Sequence, residues 1–218
     1  MRHSVQRLLP ASTSFSGSFA DFTANYVMLF DAKGNRKYLA TREYVAFIEA
    51  ARNSPPDVET FCLTLAQTGA RISEILAITP SRIDSSTHTI VIECLKRRRG
   101  GVFRAVPVSD DLQNRLDAVH AISLAQGDPA ARNLRLWPWC RTTAWQRVKE
   151  VMHDAKIETA LSMPKALRHS FGVRGTTDAQ VPLNMMQKWM GHARIETTAI
   201  YANAVGNEER DLARRMWT

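Results

Sequence analysis

His88-Thr-Ile-Val-Ile-Glu-Cys-Leu95, Lys96-Arg-Arg-Arg-Gly-Gly101, Val102-Phe-Arg-Ala-Val-Pro-Val108: across these three runs the hydrophobic period changes from helical to extended. The outer runs are short and rich in β-branched residues, and the middle one is basic and ends in two glycines. They read as an antiparallel hairpin with a cationic tip. Pro107 has no N–H for an interior ladder, so it belongs near a strand end.

Helical spacing dominates on both sides. Upstream, residues 41–53 place Tyr44, Val45, Ile48 and Ala51 on one face, and residues 57–68 carry Val58, Phe61 and Leu65 up to Gly69. Ser73 is positioned to cap a short helix over 74–77 that Pro80 stops. Downstream, Ser109 caps a segment with Leu112, Leu116, Val119 and Ile122, closed by Gly127, and a helix over 142–155 follows. Pro164 opens one running to about Gly172, and Pro182 opens another with Met185, Met186 and Trp189. Residues 195–204 and 208–217 complete the pattern. The expected fold class is mainly α with a small antiparallel β-sheet.

The chain has 218 residues, enough for one domain with a proper core. It is 44% hydrophobic and 23% charged, which is the composition of a globular protein. No apolar run approaches the ~20 residues of a membrane span. Cys62, Cys94 and Cys140 are odd in number and widely spaced, which argues against a disulfide framework or a zinc cluster and fits a reducing compartment. With 29 Lys plus Arg against 21 Asp plus Glu, the formal charge of +8 points to a polyanionic partner. Residues 1–37 read as an N-terminal extension, partly disordered. Its first twenty residues carry Arg2, Arg7 and five serines without an acid, and a turn falls at Asp31-Ala-Lys-Gly34-Asn35. Residues 38–218 then form the main domain.

Four clusters carry candidate chemistry. In Thr68-Gly69-Ala70-Arg71-Ile72-Ser73-Glu74, Arg71 stands on a bend with Glu74 one turn on, either a surface ion pair or an acid that holds the guanidinium fork. The hairpin tip Lys96-Arg97-Arg98-Arg99, with Arg104 on the return strand, is either a solvated turn or a probe for a phosphate backbone. Lys96 is its one group whose pKa can be tuned toward proton transfer. In Lys165-Ala-Leu-Arg168-His169-Ser-Phe171, the i,i+3 spacing puts Lys165 and Arg168 on one helix face, and Leu167 and Phe171 on a buried one. In Trp189-Met190-Gly191-His192-Ala-Arg-Ile195 and on to Tyr201, Gly191 ends a helix and His192 falls at the turn. Ile195 and Ile200 anchor a short helix carrying Tyr201. A lone His there reads as a C-terminal cap and a lone Tyr as structural.

Taken together these clusters resemble the tyrosine recombinase (phage integrase) family, whose catalytic domain is shared with type IB DNA topoisomerases. The resemblance rests on the Arg71 bend with Glu74, hairpin Lys96, Lys165-x-x-Arg168, Met190-Gly191-His192, and Tyr201 nine residues past that histidine. It covers about residues 38–218 and implies the DNA breaking-rejoining fold. It also implies site-specific recombination of double-stranded DNA through a 3′-phosphotyrosine, with no metal or ATP as cofactor. Tyr201 would be the nucleophile. Arg71 and Arg168 would take the charge of the transition state, His192 would donate to the same oxygens, and Lys96 would be the general acid. Arg97, Arg98, Arg99 and Arg104 would contact DNA. For the phenolic proton, Lys165 and His192 are both local options.

The chain departs from the family in two places. Lys165 stands where the family usually has His, and at most 37 residues precede the catalytic domain, where most relatives carry a core-binding domain. The pattern is similar to that of short stand-alone recombinases of the fimbrial inversion type. The resemblance further implies a transient homo-tetramer on DNA, accessory DNA-bending proteins, no membrane partner and a cytoplasmic, bacterial or phage/plasmid-encoded setting. A C-terminal helix over 207–218, with Leu212, Met216 and Trp217 as its apolar side, would pack either in cis or on a neighbouring subunit. Alternative readings of the same residues are a topoisomerase-like nicking enzyme and a DNA-binding relative that has lost catalysis.

Overall fold

The computed structural model describes residues 29–95, 100–157, 161–202, 213–214 and 216–217. The hairpin tip Lys96, Arg97, Arg98 and Arg99, residues 1–28 and most of the expected C-terminal helix lie outside this set.

Helix α1 spans Thr41–Arg52 and α2 spans Pro56–Thr68. Pro56 opens α2 at a position whose N–H needs no partner, and Gly69 closes it in the left-handed region at φ 58°. Any Cβ at Gly69 would also meet Phe171 Cδ1 at 2.5 Å. Helix α3, Ile72–Ile75, follows after a two-residue bend. Its N-cap is Arg71 rather than the expected Ser73, because the Glu74 carboxylate reaches back to accept from the Arg71 amide at 3.0 Å.

The sheet has three antiparallel strands, one more than the hairpin alone: β1 (Ile83–Asp84), β2 (Thr89–Glu93) and β3 (Phe103–Pro107). In the β2–β3 register Ile90 faces Val106 and Ile92 faces Arg104, so the buried face of β3 carries one apolar residue and one cation. Pro107 ends its strand, as its missing donor requires.

After the sheet, α4 (Asp110–His120) is capped by Ser109 Oγ, which accepts from the Leu112 amide at 3.2 Å. The single helix expected up to Gly127 is in fact two, because Ala121 adopts φ 49° and starts α5 (Ile122–Gly127) in a new direction. Then come α6 (Arg141–Asp154), α7 (Pro164–Thr177), α8 (Leu183–Met190) and α9 (Glu196–Ala199). Helix α7 runs five residues beyond the glycine at which it was expected to stop. Gly172 and Gly175 stay helical, and each leaves room for a neighbouring side chain, Tyr201 and Met186 respectively.

The main core packs α1, α2, α4 and α6 around Phe61, Leu65, Ile75, Ile90, Leu116 and Trp137. A smaller cluster joins Leu29, Tyr38, Val173, Met186, Met190 and Ile200 with Tyr201, and Trp189 lies against both. Leu29 is fully buried there, so the segment just before residue 38 is part of the packed body around Tyr201. Among the described residues no helix is long and apolar enough to cross a membrane.

Candidate active site

Three segments of the chain meet at one cavity of about 660 Å³. They are the Gly69–Arg71 bend, the N-terminal part of α7, and the turn from α8 to Tyr201. The cavity wall carries Arg71, Lys165, Arg168, His169, His192 and Tyr201, four of them cationic or imidazole groups predicted from sequence. Lys37, Arg141 and Trp145 complete the basic and aromatic rim.

Arg168 is buried on α7, and its guanidinium donates from Nη1 to the Gly69 carbonyl at 2.6 Å and from Nη2 to the Met190 carbonyl at 2.8 Å. One side chain thus bonds the backbone on both sides of the cavity. Burial, with Arg71 close by, draws its pKa down to about 10, so it stays charged at neutral pH. Arg71 is half-buried, and its Nη1 donates to Glu74 Oε1 at 2.8 Å, leaving the rest of its fork at the cavity.

Arg104, expected to contact DNA from the return strand, is instead turned inward. It is 5% exposed, and every edge of its guanidinium is engaged. Nη2 donates to Glu74 Oε2 at 2.7 Å, Nε to the Trp189 carbonyl at 2.7 Å, and Nη1 to Cys94 Sγ at 3.2 Å. The alternation of β3 turns residue 104 inward, and Glu74 supplies the charge that makes burial tolerable. Burial works to raise the Glu74 carboxyl. The Arg104 charge, with the Arg71 amide and guanidinium, outweighs it and holds Glu74 below its ordinary value.

His192 follows Gly191, which sits at φ 67° with Cys94 and Arg104 so close that a Cβ would clash. His192 Nδ1 pairs with Thr198 Oγ1 at 2.9 Å. Burial, then Arg168, Arg71 and Arg104, push its pKa down to about 3, so the ring is neutral. Tyr201 is 2% exposed and nearly parallel to His192, with centroids 6.2 Å apart and planes 12° apart. Burial raises its phenol to about 12 against the pull of Arg168 and Arg71. Of the two expected anchors of this turn, Ile200 is buried and Ile195 is exposed.

Lys165 is exposed at the cavity mouth, while Arg168 on the same face is buried. Two residues of this site carried no role in the sequence reading. Thr198 bonds His192, and His169 Nδ1 lies 3.3 Å from the Tyr201 hydroxyl. Position 169 had one legible signal, its i,i+4 spacing from Lys165, which places both on the cavity side of α7.

Residues 37–208 match the phage integrase family. The chain belongs to that family. It is 31% identical over 186 residues to the tyrosine recombinase XerD of Mycobacterium tuberculosis, covering 76% of this chain and 56% of that protein. It is 30% identical over 182 residues to XerD of Halalkalibacterium halodurans, covering 76% and 58%. The chain therefore spans little more than half the length of these integrase-family relatives. Among solved structures, the XerA recombinase superposes with a TM-score of 0.67 at 22% identity, covering 82% of this chain and 62% of that one. The catalytic domain of bacteriophage HP1 integrase superposes at 0.57 and 22% identity, covering 81% and 93%. These likenesses establish the tyrosine recombinase catalytic fold.

Proposed function

We propose that residues 38–218 form the catalytic domain of a site-specific recombinase that cuts and rejoins double-stranded DNA through a 3′-phosphotyrosine at Tyr201. The observation that carries this reading is the convergence of Arg71, Arg168, His192 and Tyr201, from three distant parts of the chain, on one cavity.

The chemistry follows from the residue types. A phosphodiester under attack gathers charge on its non-bridging oxygens, and two guanidiniums fixed in advance meet that charge without reorganising. Arg168 is held by two carbonyls and Arg71 by Glu74, so neither swings to meet its substrate. If Thr198 donates its hydroxyl proton to Nδ1 of neutral His192, the ring proton stays on Nε2, ready to donate to a phosphoryl oxygen. Tyr201 Oη forms the bond to phosphorus, and the 5′ oxygen leaves with a proton from Lys96, the acid assigned to the hairpin. Arg97, Arg98 and Arg99 at the same tip, with Lys165 at the cavity mouth, would engage the DNA backbone. Assembly of four protomers on two duplexes, and help from DNA-bending proteins, belong to the same proposal.

Covalent trapping tests it. Incubated with a randomised pool of nicked duplexes, the protein should retain a subset of sequences through denaturing wash, and Tyr201→Phe should retain none while still binding DNA. A covalent adduct formed by Tyr201→Phe would refute the assignment. Relaxation of any supercoiled plasmid without enrichment of a sequence would favour the topoisomerase-like alternative.

A further inference from the structure

Attack by Tyr201 requires its phenolic proton to go somewhere, and the cavity limits the choice. Among the described residues its lining contains no Asp or Glu. Lys37, Arg71, Arg141, Lys165 and Arg168 carry donors only. His192 runs nearly parallel to the tyrosine ring with centroids 6.2 Å apart, and its Nδ1 is already bonded to Thr198. The group at the hydroxyl is His169, whose Nδ1 is 3.3 Å from Oη.

Resting on the recombinase reading above, we propose that His169 takes the proton from Tyr201 during strand cleavage, the task for which this chain's Lys165 has no lone pair. The Oη–P bond forms as the P–O5′ bond breaks. The electron pair of the broken bond leaves on O5′, which is protonated by Lys96, and the phenolic proton passes to His169 Nδ1. Ligation reverses each transfer.

The surroundings of the ring suit a reversible acceptor. Burial first, then Lys165, Arg168 and Lys37, bring its pKa down to about 4, so the ring is neutral and its lone pair is available at neutral pH. Among the described residues its Nε2 is buried without a hydrogen-bond partner, so none of their carboxylates or carbonyls stabilises the imidazolium on that side. The charged groups facing it are Lys165 and Arg168 from its own helix and Lys37 from the N-terminal segment, with His192 and Tyr201 from the C-terminal turn. A phosphate anion entering among these cations raises the proton affinity of His169 when the proton must be held. The acid–base partner returns it once the phosphotyrosine is resolved.

The test uses duplex DNA recovered by trapping on the wild-type protein. His169→Asn keeps an acceptor near the Nδ1 position but has no useful basicity. Cleavage at pH 7 should slow by about a hundredfold and then rise about tenfold per pH unit up to pH 9, as hydroxide removes the phenolic proton instead. Replacing Tyr201 by 3,5-difluorotyrosine, a more acidic phenol, should restore most of the lost rate at pH 7. His169→Gln is the second variant, and whichever folds with native melting is the one measured. A wild-type rate in the variant overturns the proposal. So does a slow rate that neither alkali nor the fluorinated phenol restores, since that is the signature of lost packing alone. If the wild-type protein traps no DNA, the recombinase reading itself fails, a result distinct from full-rate cleavage by the variant.

Discussion

Glu74 Oε2 and Arg104 Nη2 lie 2.7 Å apart in a place closed to water, while Glu74 Oε1 holds Arg71 Nη1 at 2.8 Å. One carboxylate therefore serves two guanidiniums, one structural and one at the cavity. Arg104 cancels the acid's charge, so Arg71 is oriented by Glu74 without losing its own positive field toward the cavity.

Glu74→Gln leaves two facing guanidiniums without their anion. It should lower folding stability by about 3–5 kcal/mol, the usual cost of stranding a buried charge, and urea unfolding at pH 7 measures it. Because Glu74 is held below its ordinary carboxyl range, its contribution is complete above about pH 4.5 and lost as acid titrates it in the folded state. The destabilisation in Glu74→Gln should therefore shrink as pH falls below that value.

Gly172 lies under the Tyr201 ring, and a Cβ there would sit 2.6 Å from its carbons. Gly172→Ala favours the helix intrinsically by up to about 1 kcal/mol, so the fold should persist while the ring is driven from its seat. Covalent trapping should fall more than tenfold with DNA affinity changed less than twofold, compared by denaturing gel and gel shift.

His169 and His192 both stay neutral in the fold, near 4 and 3, against an ordinary 6.5. Unfolding lets them bind protons, so their stabilising share is whole above about pH 6.5 and drains away as pH falls toward 4. Two such groups give a slope approaching about 2.7 kcal/mol per pH unit between pH 6 and 4. Denaturation series at pH 7, 6 and 5 should show it, with half the slope in His169→Asn. A pH-independent stability over that range contradicts the burial of both rings.

Arg168→Lys replaces a planar fork with a single ammonium that does not span Gly69 and Met190 while facing a phosphate. Cleavage should drop by about 10²–10³, the scale for losing a preorganised anion donor, and the melting temperature should fall with it. Near-normal single-turnover cleavage would show that the two carbonyl bonds are dispensable.

Much of this was legible in the chain itself. The period change at 88–108 located two of the three strands, and Gly69, Ser109, Pro164 and Gly191 marked helix ends because each acts through local backbone chemistry. Ala121 gave no warning, since alanine has no preference for the left-handed φ it adopts. Arg104 was misread for a similar reason. Its type suggested solvent, and only the strand's alternation and the distant Glu74 turn it inward. His169 stood in plain view beside Arg168, but its contact with a phenol 32 residues away is a tertiary fact that no spacing encodes.

Arg168 bonds one carbonyl 99 residues behind it and another 22 ahead. During synthesis, a ribosome-bound chain that has not yet released Met190 has no second anchor for that guanidinium, and Tyr201 emerges later still. The cavity is thus assembled only after residues 190 and 201 have both emerged, and a chain that stops before them lacks the second anchor of Arg168 and the phenol beside it.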